Sequence, residues 1–323
     1  MKAIVYTKYG SPDILQLKEI EKPVPKDHEV LVNVHAASAN AGDWHLLRGT
    51  PFLVRFIYGI LKPKNQVLGS DVAGRVEAVG SSVTQFQVGD EVFADLFGCG
   101  FGGYAEYVCA HENVFALKPA NLSFEEAAAI PTAGGTALQG LRDQGHIQKG
   151  QHVLINGASG GVGTFAVQIA KLFGGEVTGV CSTGKMDMIR SLGADHVIDY
   201  TQEDFTQNGQ SYDLILAANG YHPIFNYRRA LGSKGTYVMT GGSNAQMFQA
   251  ILLGPWISML GSKKMGNLMA QPRHKDLVFL KELVEGGKIM PVIDRRYPLH
   301  EVPEAIRYLE EGHARGKVVI TVK

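Results

Sequence analysis

Cysteine is scarce in this 323-residue chain. Only Cys99, Cys109 and Cys181 are present, and no two of them are spaced as a CxxC pair. That excludes a disulfide framework and leaves too few ligands for a four-cysteine zinc lobe. Three unpaired thiols suit a reducing compartment. Net charge is also missing, since Lys plus Arg and Asp plus Glu both number 31. The balance gives no general electrostatic reason to expect nucleic acid or an anionic membrane as partner. Long apolar runs are absent too. Met1-Lys2-Ala3-Ile4-Val5-Tyr6 turns polar too soon for a signal peptide. The most apolar stretch, Ala250 to Leu260, is interrupted by Gly254 and Pro255 and is shorter than the roughly 20 residues a membrane span needs. These absences lead to the expectation of a cytoplasmic protein with no membrane span and no nucleic-acid partner.

The chain has 45% hydrophobic and 19% charged residues, as a soluble globular protein does, and its length suits two domains. Its rhythm changes near residue 122. Before that point short β-type runs (Lys2 to Tyr6, Glu29 to Ala36, Gly74 to Val79, Glu91 to Ala94, Tyr104 to Ala110) are separated by turn residues, which predicts a β-rich, rolled or barrel-like domain. After it strands and helices alternate. His152 to Asn156 is an apolar run, and Gly161 to Phe173 has helical spacing. Glu176 to Cys181 is a second buried strand and Lys185 to Leu192 a helix. His196 to Asp199, Leu214 to Ala217 and Thr236 to Thr240 continue the series. Such alternation predicts a parallel sheet with helices on both faces. Lys275 to Lys323 adds two helices and the terminal strand Lys317 to Val322.

The strongest chemical signal is the junction after Asn156, where Gly157-Ala158-Ser159-Gly160-Gly161-Val162-Gly163 joins a strand to a helix. A phosphate cradle needs a sharp turn, close approach of backbone to pyrophosphate, and close strand–helix packing. Glycine serves all three, and the helix N-terminus adds unpaired N–H groups. The spacing departs from G-x-G-x-x-G because Ala158 holds the first glycine position, so a plain tight turn is the alternative. The second strand narrows the ligand. An NAD site usually has Asp or Glu at its end, whereas this chain has Cys181-Ser182-Thr183-Gly184-Lys185. No carboxylate repels a 2′-phosphate there, and Ser182, Thr183 and Lys185 can hold one. This favours NADPH, although Ser182 and Thr183 can also cap the following helix.

Several further motifs accompany the turn. They are Ala37-Ser38-Ala39-Asn40, Leu68-Gly69-Ser70-Asp71-Val72-Ala73-Gly74, Val88-Gly89-Asp90-Glu91-Val92, Gly103 to Val108, Ala127 to Gly135, Leu192 to Tyr200 and Gly316-Lys317-Val318-Val319. With them the sequence resembles the medium-chain dehydrogenase/reductases over nearly its whole length, and more narrowly the zinc-free quinone oxidoreductases of the zeta-crystallin type. The resemblance implies an α/β fold: a GroES-like β-rich catalytic domain (residues 1–122 and 265–323) plus a Rossmann domain with a doubly wound parallel sheet (residues 123–264). It also implies that Ser182, Lys185 and Tyr200 attend the adenosine 2′-phosphate and that subunits pair as a homodimer through the Rossmann sheet edge.

Zinc-dependent members of the superfamily use a Cys, a His in a Gly-His-Glu turn, and a third Cys or Asp. The matching positions here are Asn40, Ser70 and the neighbourhood of Thr132. None is a good zinc ligand, so no metal is expected. Without a Lewis acid, oxidising a simple alcohol is hard. Hydride addition to a conjugated carbonyl needs only a hydrogen bond to the developing negative charge. The expected reaction is reduction of a small hydrophobic quinone, enone or enal by NADPH. An enoyl-thioester reductase, an alcohol dehydrogenase of the same fold, and a non-catalytic NADPH-binding protein are the alternatives.

Three residues are catalytic candidates. Asn40 matches an asparagine common in the zinc-free branch and can orient substrate or a ribose hydroxyl, or simply form a turn. His45 lies where quinone oxidoreductases often carry a Tyr and zinc alcohol dehydrogenases a proton-relaying His. It can protonate an enolate or be structural. Asp43 can orient His45 or cap a helix beginning at Trp44. In the family the loop from Ile130 to Gly135, with Thr132, packs near the nicotinamide, and Gly241 and Gly242 let backbone approach the same end. The segment from Thr50 to Asn65, with Phe52, Phe56 and Tyr58, either lines the substrate cleft or packs on the protein's own core or a partner subunit.

Overall fold

A computed structural model describes all residues from Met1 to Lys323. The chain divides into two compact units, one of residues 1–132, 272–287 and 291–323, the other of residues 133–271 and 288–290.

The first unit begins with the hairpin-like pair β1 (Lys2–Val5) and β2 (Gln16–Glu19). β3 (Glu29–Ala39), β4 (Asp71–Val79), β5 (Glu91–Asp95), β6 (Tyr107–His111) and β7 (Phe115–Leu117) follow, all joined antiparallel. Between β3 and β4 lie two helices, α1 (Ala41–Arg48) and α2 (Val54–Tyr58). α3 (Phe124–Ala128) opens on the Ser123/Glu126 capping box, the reciprocal bonding that such a pair at N-cap and N3 favours. α4 (Pro131–Leu138) occupies what the sequence suggested was a loop. Pro131 stands at its first position, where a missing N–H costs nothing and the fixed φ suits the helix.

The second unit is a six-stranded parallel sheet. Its strands are β8 (His152–Asn156), β9 (Glu176–Cys181), β10 (His196–Asp199), β11 (Tyr212–Ala217), β12 (Leu231–Met239) and β13 (Lys264–Asn267), in the order β10-β9-β8-β11-β12-β13. This is the doubly wound order, with the crossover reversing between β8 and β11. Val153, Leu154, Ile155, Leu214, Ile215 and Leu216 are fully buried, as strands covered on both faces require. The helices are α5 (Gly161–Leu172), α6 (Met186–Ser191), α7 (Ile224–Ala230) and α8 (Asn244–Leu260). No helix is long and apolar enough to cross a membrane.

The chain then returns to the first unit with α9 (His274–Glu285), β14 (Ile293–Pro298), α10 (Val302–Glu310) and β15 (Lys317–Thr321). β15 pairs with β3, giving a seven-stranded sheet whose main path runs β14-β15-β3-β4-β5-β7. The units divide at 132/133 and 271/272 rather than near 122 and 265. Two contacts explain the difference. α3 packs on β3 and β4 of the first sheet. β13, which begins at Lys264, pairs with β12 of the parallel sheet.

Candidate active site

Register sets a row of polar side chains across the buried sheet of the first unit. Ser38 on β3 is opposite Asp71 on β4, and Asp71 is opposite Asp95 on β5, so the three stand side by side on one face. β15, on the far side of β3, supplies Lys317. All four are buried. Polar groups in such a place are costly unless satisfied, and the Asp71 carboxylate is saturated. Its Oδ2 accepts from the Ser38 hydroxyl at 2.8 Å, the Asn40 amide at 2.9 Å and the Lys317 ammonium at 3.0 Å. Its Oδ1 accepts from the Thr132 N–H at 2.8 Å and hydroxyl at 2.7 Å. Thr132 is thus the first-turn residue of α4, and one of the helix's otherwise unpaired N–H groups meets a carboxylate there.

Lys317 also fixes the orientation of Asn40. An ammonium only donates, so the atom 2.5 Å from Nζ is Oδ1. The NH₂ group then faces Ser70 Oγ at 3.1 Å and Asp71. Both amide hydrogens are engaged. Asn40 can accept from a hydroxyl through the remaining lone pair of Oδ1, but it has no free hydrogen for a substrate carbonyl.

Asp43 does not orient His45. Its Oδ2 accepts from the Asn40 N–H at 2.8 Å and the Tyr104 hydroxyl at 2.9 Å, and its Oδ1 from the Gly69 N–H at 3.2 Å. The helix starts at Ala41, three residues before Trp44, so Asp43 is its third residue and reaches back to the cap position. Burial pushes its carboxyl up to about 6, against the pull of those donors. The His45 ring is held instead by the Thr50 carbonyl, 3.0 Å from Nδ1, and stacks on Trp44. Burial lowers its pKa, so at neutral pH the ring is neutral. Since the carbonyl can only accept, Nδ1 carries the proton and Nε2 is bare. This is the tautomer of a base, not of a proton donor.

Besides Asp71, two further charged residues that the sequence did not single out complete the network. Asp95 is buried beside Asp71, and burial together with that neighbouring charge pushes its carboxyl up to about 7. Its Oδ1 accepts from the Phe97 N–H at 2.8 Å. Lys317 is the other. A lysine in the otherwise apolar run Lys317-Val318-Val319-Ile320 is a visible oddity, but its partner Asp71 lies 246 residues away.

This donor set does not fit a zinc ion. An amide, two hydroxyls and a bonded ammonium occupy the positions in question, and a dication would face the Lys317 charge rather than thiolate or imidazole.

In the second unit, the glycine turn, Ser182, Thr183, Lys185, Tyr200, Gly241 and Gly242 all follow the carboxyl ends of parallel strands, where this topology binds ligands. The glycines have distinct reasons. Gly157 has φ +82°, and a Cβ there would lie 2.7 Å from Asn219. A Cβ on Gly163 would strike the Gly157 carbonyl and lie 2.6 Å from the Ala158 carbonyl carbon, so this residue allows α5 to pack. Gly160 differs. It is the N-cap of α5 with φ −83° and ψ 177°, and its Cβ would meet nothing nearer than 3.7 Å. Neither conformation nor packing demands glycine there, and the open space above a helix N-terminus fits a pyrophosphate approaching the backbone.

Register between β9 and β10 pairs Asp199 with Cys181, and the Tyr200 N–H donates to the Cys181 carbonyl at 3.1 Å. That places Tyr200 beside Ser182. Thr183 is engaged otherwise: its hydroxyl donates to the Asp199 carboxylate. Asp199 also accepts from the N–H and hydroxyl of Thr201, at 2.9 and 2.8 Å, and the hydrogen bonds from Thr183 and then Thr201 hold its pKa low. The hydroxyl of Thr183 is therefore not free for a phosphate.

Two family models match the chain, the alcohol dehydrogenase GroES-like domain at residues 26–120 and the zinc-binding dehydrogenase domain at residues 192–320. The chain is 35% identical to the chloroplast envelope quinone oxidoreductase homolog of Arabidopsis thaliana, over 99% of this chain and 98% of that protein. It is 34% identical to the NADPH-dependent alkenal/one oxidoreductase, chloroplastic, of the same plant, over 99% of this chain and 79% of that protein. The solved quinone oxidoreductase of Coxiella burnetii superposes with a TM-score of 0.90 at 33% identity, covering 100% of this chain and 99% of that one. A GroES-like domain joined to a doubly wound nucleotide-binding sheet defines the class. Within that class, the medium-chain dehydrogenase/reductases, the chain belongs to the quinone oxidoreductase family.

Proposed function

We propose that the protein is an NADPH-dependent reductase that needs no metal and reduces quinones and α,β-unsaturated carbonyls. The observation that carries this reading is the Lys317 ammonium bonded to Asn40 and Asp71, in a site whose remaining groups are amide and hydroxyl. Such a site has no Lewis acid to stabilise an alkoxide, which favours an acceptor whose conjugation already activates it. The names of the relatives, a quinone oxidoreductase homolog and an alkenal/one oxidoreductase, agree.

When bound, NADPH supplies the hydride. The chain's own part is to hold it. Gly160 leaves room for the pyrophosphate, and Ser182, Lys185 and Tyr200 gather at the 2′-phosphate end, where β9 ends in no carboxylate. Gly241 and Gly242, just past β12, serve the nicotinamide end. With His45 in its basic tautomer, water protonates the reduced carbonyl compound.

The edge strand β13 and α8 support a homodimer. β13 pairs on one side only, and α8 exposes Leu252, Trp256 and Met259 at 63%, 62% and 70%. Light scattering is expected to give twice the chain mass.

The direct test follows NADPH and NADH oxidation against a quinone, an alkenal, an enoyl thioester and an alcohol with the oxidised cofactor. Turnover of the first two with NADPH is expected. Turnover confined to the alcohol, or dependent on added zinc, would refute the reading.

A further inference from the structure

The segment between α1 and β4 is apolar, basic and tethered by hydrogen bonds. Only Val54 and Tyr58, one turn apart on α2, face the core of the first unit. Phe52, Leu53, Phe56 and Ile57 are 57–60% exposed, Ile60 is 52% exposed and Leu61 91%. Single exposed apolar residues are common on any surface, but six within ten positions form a patch. The exposure does not come from a loose chain. The Tyr9 hydroxyl donates to the Gly59 carbonyl at 2.5 Å, Arg55 Nε donates to the Gly49 carbonyl at 3.0 Å, and the Arg55 guanidinium lies over the Tyr9 ring. The Lys64 N–H closes the segment onto the Tyr58 carbonyl at 2.8 Å.

Charge identifies what the patch meets. Residues 50–65 contain Arg55, Lys62 and Lys64 and no acidic residue, in a chain otherwise without excess positive charge. Lys62 and Lys64 are exposed next to Leu61. A second copy docked through this patch would set like charges against each other, because a two-fold contact pairs a surface with itself. An anionic lipid surface satisfies both features, taking the apolar side chains among its acyl chains and the ammonium groups at its headgroups.

We propose that residues 52–64 form a membrane-docking surface, by which the protein associates reversibly with anionic bilayers. The inference concerns binding alone and stands whether or not the reductase reading does.

The test is co-sedimentation of the full chain with vesicles of equal parts phosphatidylcholine and phosphatidylglycerol, beside pure phosphatidylcholine vesicles. Binding to the anionic vesicles, weaker on the neutral ones and reduced by salt, is expected. Leu61→Asp with Lys62→Glu should lower partitioning by about tenfold or more while thermal stability and turnover of a water-soluble quinone match the parent. As an independent readout, Leu61→Trp should show a blue-shifted emission quenched by brominated lipid. Three results would overturn the proposal: no sedimentation with either vesicle, undiminished sedimentation of the double variant, or no emission shift. A changed oligomeric state of the double variant would instead assign the patch to protein contact.

Discussion

Replacing Lys317 by Met tests the buried network most sharply. The ammonium is 3% exposed and its partner Asp71 fully buried, so water cannot take over when the charge is removed. Met, one atom shorter, keeps most of the side chain's length and leaves little cavity. What remains is an Asp71 carboxylate without its cation and an Asn40 Oδ1 without its donor. Breaking a buried pair from one side costs about 3–5 kcal/mol. For a domain of this size each kcal/mol shifts the midpoint by about 2–4 °C, so the thermal transition should fall by about 6–20 °C. The assay is thermal or urea unfolding of the parent, Lys317→Met, Asp71→Asn and the double variant. The cycle should give a coupling energy of about 1–3 kcal/mol, as for directly bonded groups. A cost below about 1 kcal/mol for Lys317→Met, or additivity within about 0.5 kcal/mol, would show that the ion pair does not hold this site together.

Other predictions follow from the same geometry. Asp95 has a folded pKa raised to about 7 from an ordinary 3.8, so between those values the folded state keeps a proton that the unfolded chain releases. Its contribution to stability is therefore lost as pH rises through that window. Asp95→Asn should gain stability relative to the parent between pH 4 and 8, and parallel pH curves for the two proteins would contradict the assignment. Gly160→Ala should fold with a loss within about 1 kcal/mol, since its cap geometry and surroundings accept a methyl group, yet bind NADPH at least about tenfold more weakly. Gly163→Ala should lose several kcal/mol because its Cβ meets backbone. An unchanged NADPH affinity in Gly160→Ala would refute the cradle. His45→Ala should keep turnover within about threefold, whereas a proton donor contributes roughly 10²–10⁴. A fall of that size would restore the donor role.

The sequence by itself determined what local pattern determines. The strands His152–Asn156 and Glu176–Cys181 match their expected bounds residue for residue, because strands covered on both faces read as near-continuous apolar runs. The glycine turn was equally legible, since close backbone approach leaves few residue choices. β14 was not, because Ile293-Asp294-Arg295-Arg296-Tyr297-Pro298 is polar and half-exposed and has no apolar periodicity. The helix at Pro131 was obscured by its own Ala and Gly residues, although the proline marked its start.

The candidate site shows the same division. Asn40, Asp43 and Thr132 were identifiable as residues, but their roles depend on groups far along the chain. Asn40 is turned by Lys317, Asp43 is bonded to Tyr104, and Thr132 is held by Asp71. Periodicity reports which face a residue occupies, never which distant residue shares that face. Only the pairing of β3 with β4 and β15, and of β4 with β5, brought Ser38, Asp71, Asp95 and Lys317 into one buried row. Only burial, which strengthens each unscreened charge there, made that row decide what the site can hold.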